Sequence, residues 1–323
     1  MTFTLDTHWV WDFWLADDGE QYHMYYLHAP KSLGEQHLRH RNATIGHAVS
    51  GDLTTWRDLG AVLEPGEPGD FDETATWTGS IVQGPDGVWR MFYTGSYFPD
   101  PATHTNIETV GVALSTDLHT WVKSRGPITR ADPRWYETLG SSSWPEEAWR
   151  DPWVFADPEG NGWHMLITAR ANSGDEQDRG VIAHATSTDL ENWFVQPPLS
   201  AAGAGFKHLE VPQVAVIDSR TLLLFSCDAQ ALAGSRSEQV GGIWALEVDS
   251  PVGPFDVANA TLLSPESLYS GRVIQDRTGA WVLLAFKNST SDGGFVGTLS
   301  DPIALSWASP TGPARLSSME GAV

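Results

Sequence analysis

Three short stretches place acidic side chains where a soluble chain would not ordinarily keep them. Asp12 sits in His-Trp-Val-Trp-Asp-Phe-Trp, Asp151 in Arg-Asp-Pro, and Glu210 in Lys-His-Leu-Glu-Val-Pro-Gln. Asp is a poor strand former, and burying a carboxylate costs several kcal/mol unless it is paired or hydrogen-bonded. Asp12, flanked by aromatic residues, therefore has either a capping role at a strand entrance or a chemical one. Arg150 and Asp151 form either a local ion pair at a strand start or a charged part of a site. Glu210 precedes Pro212, which suits the first residues of a strand because proline cannot donate to a ladder. Two carboxylates facing one pocket are what glycosidic cleavage needs, one as nucleophile or base and the other as proton donor.

The elements that must bring these residues together repeat five times. One half of the repeat is a strand pair broken by a polar turn, beginning near Trp11, Ser80, Asp151, Pro212 and Gly271. The other half is an alternating strand running into Ser-x-Asp-Leu-x-x-Trp, which ends at Trp56, Trp121 and Trp193. Weaker copies end at Phe255 and Trp307. The anchors are 65, 72, 62 and 52 residues apart. Four short strands per unit, repeated around a ring, predict an all-β, five-bladed β-propeller. Residues 1–323 read as a single domain, with approximate blades at 8–60, 75–125, 148–197, 208–258 and 268–310. In such a ring the inner strand of every blade borders a central channel. The five inner-strand entrances then contribute Asp12, Ser80, Arg150 with Asp151, Glu210, and Arg272. The short last blade predicts that a strand at Thr2–Leu5 lies beside blade 5 and limits its exposed edge.

Composition narrows the function classes. The net charge of −22 and a pI near 4.6 oppose binding to a phosphate backbone, so no nucleic-acid partner is expected. No apolar run reaches the ~18–20 residues that span a bilayer, so no membrane partner is expected. Cys227 is the only cysteine and reads as a small core residue. The first blade begins within a dozen residues of Met1 with no basic-then-apolar leader, and the expectation is a cytoplasmic protein. The 11 histidines are scattered without helical metal-ligand spacing, so neither a metal nor another cofactor is expected. Of the 16 tryptophans, four are anchors. Trp9, Trp11, Trp14, Trp77, Trp144 and Trp149 crowd beside the acidic candidates, where aromatic faces suit a small carbohydrate.

The order Trp-x-Trp-Asp, Trp77-Thr78-Gly79-Ser80, Arg150-Asp151-Pro152 and Glu210-Val211-Pro212 resembles the fructan-acting glycosidases of glycoside hydrolase families 32 and 68. Their catalytic domain is a five-bladed propeller. Trp-Asp and Trp-Thr-Gly-Ser are closest to the levansucrase-type family 68, and Glu-x-Pro to the invertase-type family 32. The resemblance implies cleavage of a β-fructofuranoside (sucrose, a fructo-oligosaccharide or another fructan-derived sugar) with retention, and fructosyl transfer as a further outcome. It implies Asp12 as nucleophile, Glu210 as general acid/base and Asp151 as the transition-state stabiliser. Trp11, Trp77, Ser80 and Arg150 would help to form the sugar subsite.

The chain departs from both patterns. The invertase-type Trp-x-Asn-Asp-Pro is absent, with Phe13 where its proline would fall, and too few residues follow Trp307 for the usual C-terminal β-sandwich. Levansucrases are generally larger and secreted. A family 43-like arabinofuranosidase or xylosidase, which inverts and uses the blade-one Asp as a base, is the enzymatic alternative. A non-catalytic sugar-binding propeller is the other. The oligomeric state is not set by any sequence feature.

Overall fold

In the computed structural model, residues 2–100, 102–289, 294–309 and 311–316 are described. Their strands form five antiparallel sheets arranged as the blades of a propeller. Blade 1 comprises His8–Asp17, Tyr22–Pro30, Thr44–Ser50 and Arg57–Leu63. Blade 2 comprises Ala75–Gln83, Trp89–Tyr97, Asn106–Ser115 and Val122–Lys123, and Glu146–Glu147 pairs parallel to its third strand. Blade 3 comprises Trp149–Ala156, Trp163–Arg170, Gly180–Ser187 and Phe194–Gln196. Blade 4 comprises Glu210–Ile217, Arg220–Cys227, Gly242–Val248 and Thr261–Pro265. In blade 5, Leu268–Gln275 pairs with Trp281–Ser289. Beyond it, Phe295–Leu299 and Ile303–Trp307 each pair with a different part of Trp281–Ser289, and Ala314–Leu316 closes the edge. In blades 1–3 the outer strand begins at the residue after its anchor, whereas in blades 4 and 5 it begins at Thr261 and Ala314, beyond the expected blade ends at 258 and 310.

The Ser-x-Asp-Leu-x-x-Trp repeat is a turn with one geometry in three blades. Asp52 Oδ1 accepts from the Thr54 and Thr55 N–H groups, and Asp117 and Asp189 accept from the corresponding pairs. The intervening Leu53, Leu118 and Leu190 take positive φ values of 61–64°. Such a conformation is uncommon for a residue with a Cβ. Here the Asp caps hold it while the Leu side chains are buried. The aromatic anchor then packs on the preceding blade. Trp121 meets Tyr25 of blade 1, Trp193 meets Phe92 of blade 2, and the Trp307 indole donates to Ile217 O of blade 4. The repeat is therefore a joint between blades, and the apolar core accordingly divides into clusters at the interfaces between successive blades.

The ring also closes through its N terminus. Phe3 O accepts from Leu299 N–H of blade 5 at 3.0 Å, and the Phe3 ring packs 5.0 Å from Tyr26 of blade 1. Thr2–Leu5 lies where expected but is not a strand. One backbone bond, the buried Phe3 ring, and side-chain bonds from Lys287 to Thr2 Oγ1 and from Lys31 to Leu5 O hold it there, rather than a ladder.

Candidate active site

All five inner strands break register at the same level. The breaks fall between Val10 and Phe13, Trp77 and Gly79, Arg150 and Trp153, Glu210 and Gln213, and Tyr269 and Arg272. A bulge leaves residues unpaired and re-aims their side chains. Asp12, Thr78, Asp151, Val211 and Ser270 are the residues released in this way. Asp151, Val211 and Ser270 also have positive φ values of 58°, 54° and 51°, a concentration of uncommon backbone that fits a functional rim. Gly79 permits the blade 2 bulge, because a Cβ there would lie 2.1 Å from Phe92 O.

The bulged ends surround one cavity of about 330 Å³. Asp12, Asp151 and Glu210 all line it, as do Trp11, Trp77 and Arg150. Both oxygens of Asp12 accept short hydroxyl hydrogen bonds, Oδ1 from Ser270 and Oδ2 from Thr78, each at 2.6 Å. Burial raises the Asp12 pKa, and these two hydroxyls oppose the rise. Asp151 Oδ2 accepts from Thr168 Oγ1 at 2.9 Å and from Val211 N–H at 3.1 Å, while its own N–H donates to Thr94 Oγ1. Burial pushes the Asp151 carboxyl up to about 7, against the opposing charge of Arg150. One oxygen of Asp151 is thus fixed and the other faces the cavity.

Arg150 is clasped by acids. One nitrogen donates to Glu108 Oε2 at 3.0 Å and the other to Glu210 Oε1 at 2.7 Å, with Asp151 and Glu146 at 3.7 and 3.8 Å. Burial works against the guanidinium charge, but Glu108 and Glu210 lead the carboxylates that outweigh it. The second oxygen of Glu210 accepts from the Tyr269 hydroxyl. The site thus combines a carboxylate on hydroxyl donors, a carboxyl gripped on one side, and a third carboxylate held by an arginine and a phenol.

Two sequence-based candidates fall elsewhere. Ser80 does not line the cavity. It is buried further along its strand and accepts from Val154 N–H at 3.0 Å, tying blade 2 to blade 3. The bulge at Thr78 changes the phase of the strand, so Thr78 occupies the position expected of Ser80. Arg272 lies buried in the channel, donating to Phe13 O of blade 1, Gly79 O of blade 2, and Val211 O and Pro212 O of blade 4. It binds three blades and sets a positive charge near Asp151 and Asp12. Of the six tryptophans singled out beside the acidic candidates, Trp11 and Trp77 line the cavity, whereas Trp14 and Trp149 are fully buried and Trp9 and Trp144 pack outside it.

Sequence reasoning did not single out Thr78, Ser270, Glu108 or Tyr269. A further wall is formed by the 3-10 segment Gln36–Asn42, where the Trp77 indole donates to His40 O and Arg39 lies 5.6 Å from the Trp11 ring. Only the recurrence of Thr78 and Ser270 at inner-strand entrances could have pointed to them. Among the described residues, no group of three or more potential ligands could hold a metal ion.

Comparison with known proteins bears on this arrangement. The chain is 35% identical over 197 residues to beta-fructofuranosidase 1 from Zea mays, covering 59% of this chain and 27% of that one. It is 26% identical over 232 residues to the extracellular exo-inulinase of Meyerozyma guilliermondii, covering 68% and 40%. The matched stretches thus span well under two thirds of those relatives. In fold it is similar to an inulosucrase from Halalkalicoccus jeotgali bound to kestose. The TM-score is 0.79 at 23% identity, over 97% of this chain and 87% of the other. The beta-fructofuranosidase catalytic domain of Microbacterium saccharophilum aligns with a TM-score of 0.75 at 16% identity, covering 98% and 82%. The sequence matches the glycosyl hydrolases family 32 N-terminal domain over residues 14–293, a span that contains Asp151 and Glu210 and begins just after Asp12. With that match across most of its length, the chain belongs to glycosyl hydrolase family 32.

Proposed function

We propose that this chain cleaves β-fructofuranosides with retention of configuration, through a fructosyl ester on Asp12. The observation that carries the reading is the convergence of Asp12, Asp151 and Glu210, from three different inner strands, on one cavity walled by Trp11 and Trp77. Cleavage of a ketofuranoside passes through an oxocarbenium-like state, and an ionised carboxylate beneath the anomeric carbon stabilises the developing charge. The Ser270 and Thr78 hydroxyls favour the ionised form of Asp12 and fix its orientation. Each oxygen keeps a lone pair for attack. Glu210 protonates the departing glycosidic oxygen as the Asp12 ester forms. It then takes a proton from the water, or sugar hydroxyl, that breaks the ester. Asp151, secured through Oδ2, turns its other oxygen to the sugar hydroxyls. Trp11 and Trp77 offer apolar faces to the ring.

The stereochemical course is the test, read by NMR on the first-formed product from sucrose, kestose or inulin. Retention is expected, with nearly all activity lost in Asp12→Ala. Glu210→Ala should be milder where the leaving group departs without a proton. An inverted first product overturns the nucleophile assignment and makes Asp12 a base that activates water.

A further inference from the structure

We propose that Glu108, which takes no direct part in the reaction above, is a positioning residue that sets the proton affinity of Glu210 through Arg150. The inference rests on the reading of Glu210 as the acid/base.

Glu108 is carried by the third strand of blade 2, behind the inner strands, and is 1% exposed. Its carboxylate is fully engaged. Oε1 accepts from Asn106 Nδ2 at 3.1 Å, Oε2 from Trp149 N–H at 3.1 Å, and both face the same Arg150 nitrogen at 3.3 and 3.0 Å. The carboxylate ties blade 2 to Trp149 N–H of blade 3, and it also sets a negative charge directly against one guanidinium. The opposite nitrogen of Arg150 meets Glu210. One cation is therefore shared by two acids of the same cavity, Glu108 almost fully buried in its wall and Glu210 more open to the substrate.

The sharing has a direction. With Glu108 ionised, Arg150 is largely neutralised and exerts less pull on Glu210, which then keeps its proton more readily. Without that charge, the whole guanidinium acts on Glu210 and favours its ionised form. The other charges around this network are mostly acidic, with Arg272 near Asp151 and Asp12, Arg39 near Asp12, and Arg170 and Lys207 near His208. Glu146 and Asp151 flank Arg150. Asp12, Asp151 and Asp228 act on or are acted on by Glu210, together with the Tyr269 phenol and the Cys227 thiol. His208 stands 3.8 Å from Glu146, and His40 also faces Arg150. Both imidazoles are held well below their ordinary range, by burial first and by neighbouring cations second. They therefore add little charge near neutrality. Burial likewise raises the Glu108 carboxyl to about 7, and the Arg150 charge beside it opposes the rise.

The experiment is the pH dependence of kcat/KM for the full chain on sucrose and kestose, in wild type and Glu108→Gln. The glutamine keeps shape and a carbonyl acceptor but removes the charge. The basic limb is expected to move toward acid by roughly one pH unit, about a tenfold loss above both limbs, with the plateau little changed. Asn106→Ala withdraws one donor from Glu108 and should move the limb the same way by a smaller amount. It serves as the second variant should Glu108→Gln fail to fold. A basic limb that stays in place or moves toward alkali, whatever happens to kcat, overturns the inference alone. A wild type that cleaves no β-fructoside, or a Glu210→Gln variant that keeps full activity, overturns the acid/base reading with it.

Discussion

Asp151 should make the folded protein less stable, and the size of the effect follows from its surroundings. Its carboxyl is 3% exposed, and burial raises its pKa from an ordinary 3.8 to about 7. Below 3.8 the carboxyl is protonated in both folded and unfolded chains and contributes no difference. As pH rises from 3.8 to 7 the unfolded chain ionises while the folded one holds its proton, so stability is progressively lost. Above 7 the loss is complete. At 1.36 kcal/mol for each pH unit the limit is about 4 kcal/mol. Water in the cavity reduces this, and about 2–4 kcal/mol is a working range. Asp151→Asn removes the charge while its amide oxygen can still accept from Thr168 and Val211 N–H. Arg150 keeps Glu108 and Glu210 as partners. Thermal unfolding at pH 4 and pH 8 is the assay. The variant should exceed wild type at pH 8 by roughly 3–6 °C and differ little at pH 4, while losing turnover. A variant no more stable at pH 8 than at pH 4, relative to wild type, refutes the reasoning. Asp151 would then be electrostatically well accommodated in the fold.

Two further outcomes are expected. Ser270→Ala and Thr78→Val each remove a hydroxyl donor from the Asp12 carboxylate. A hydrogen bond to a charged group contributes about 1.5–3 kcal/mol, so each change should move the acidic limb of kcat/KM toward alkali by about one pH unit. A fall in kcat with that limb fixed would show that the hydroxyls act otherwise. Phe3→Ala, which empties a buried site between blades 5 and 1, should lower stability by about 2–3 kcal/mol. An unchanged melting temperature would mean that the N-terminal segment does not secure the ring.

Much of the site was legible because a propeller converts sequence position into spatial position. Once Trp11-Asp12, Arg150-Asp151 and Glu210 fall at equivalent points of successive repeats, their convergence follows. Ser80 shows where this reasoning stops. It occupies the same point of its repeat, yet the bulge between Trp77 and Gly79 gives the cavity position to Thr78. Glu108 and Tyr269 were illegible for a different reason. Neither has a motif, and Glu108 stands in a third strand where an acid would ordinarily face solvent. The buried guanidinium, Trp149 N–H and the Asn106 amide, brought beside it by the fold, account for its presence.

The sequence by itself determined the architecture, because alternating strands and capped Asp-Leu turns are local preferences that recur with a regular period. It also determined which acids could meet, since strand entrances are set by that same period. The tertiary structure decided everything that depends on phase and partner. It decided which residue each bulge turns toward the cavity, which hydroxyls hold Asp12, and which carboxylates share Arg150. A bulge shifts a strand by a single residue, and the energy of a buried charge depends on neighbours within a few ångströms. Those neighbours come from other blades, at sequence separations that local preference does not encode.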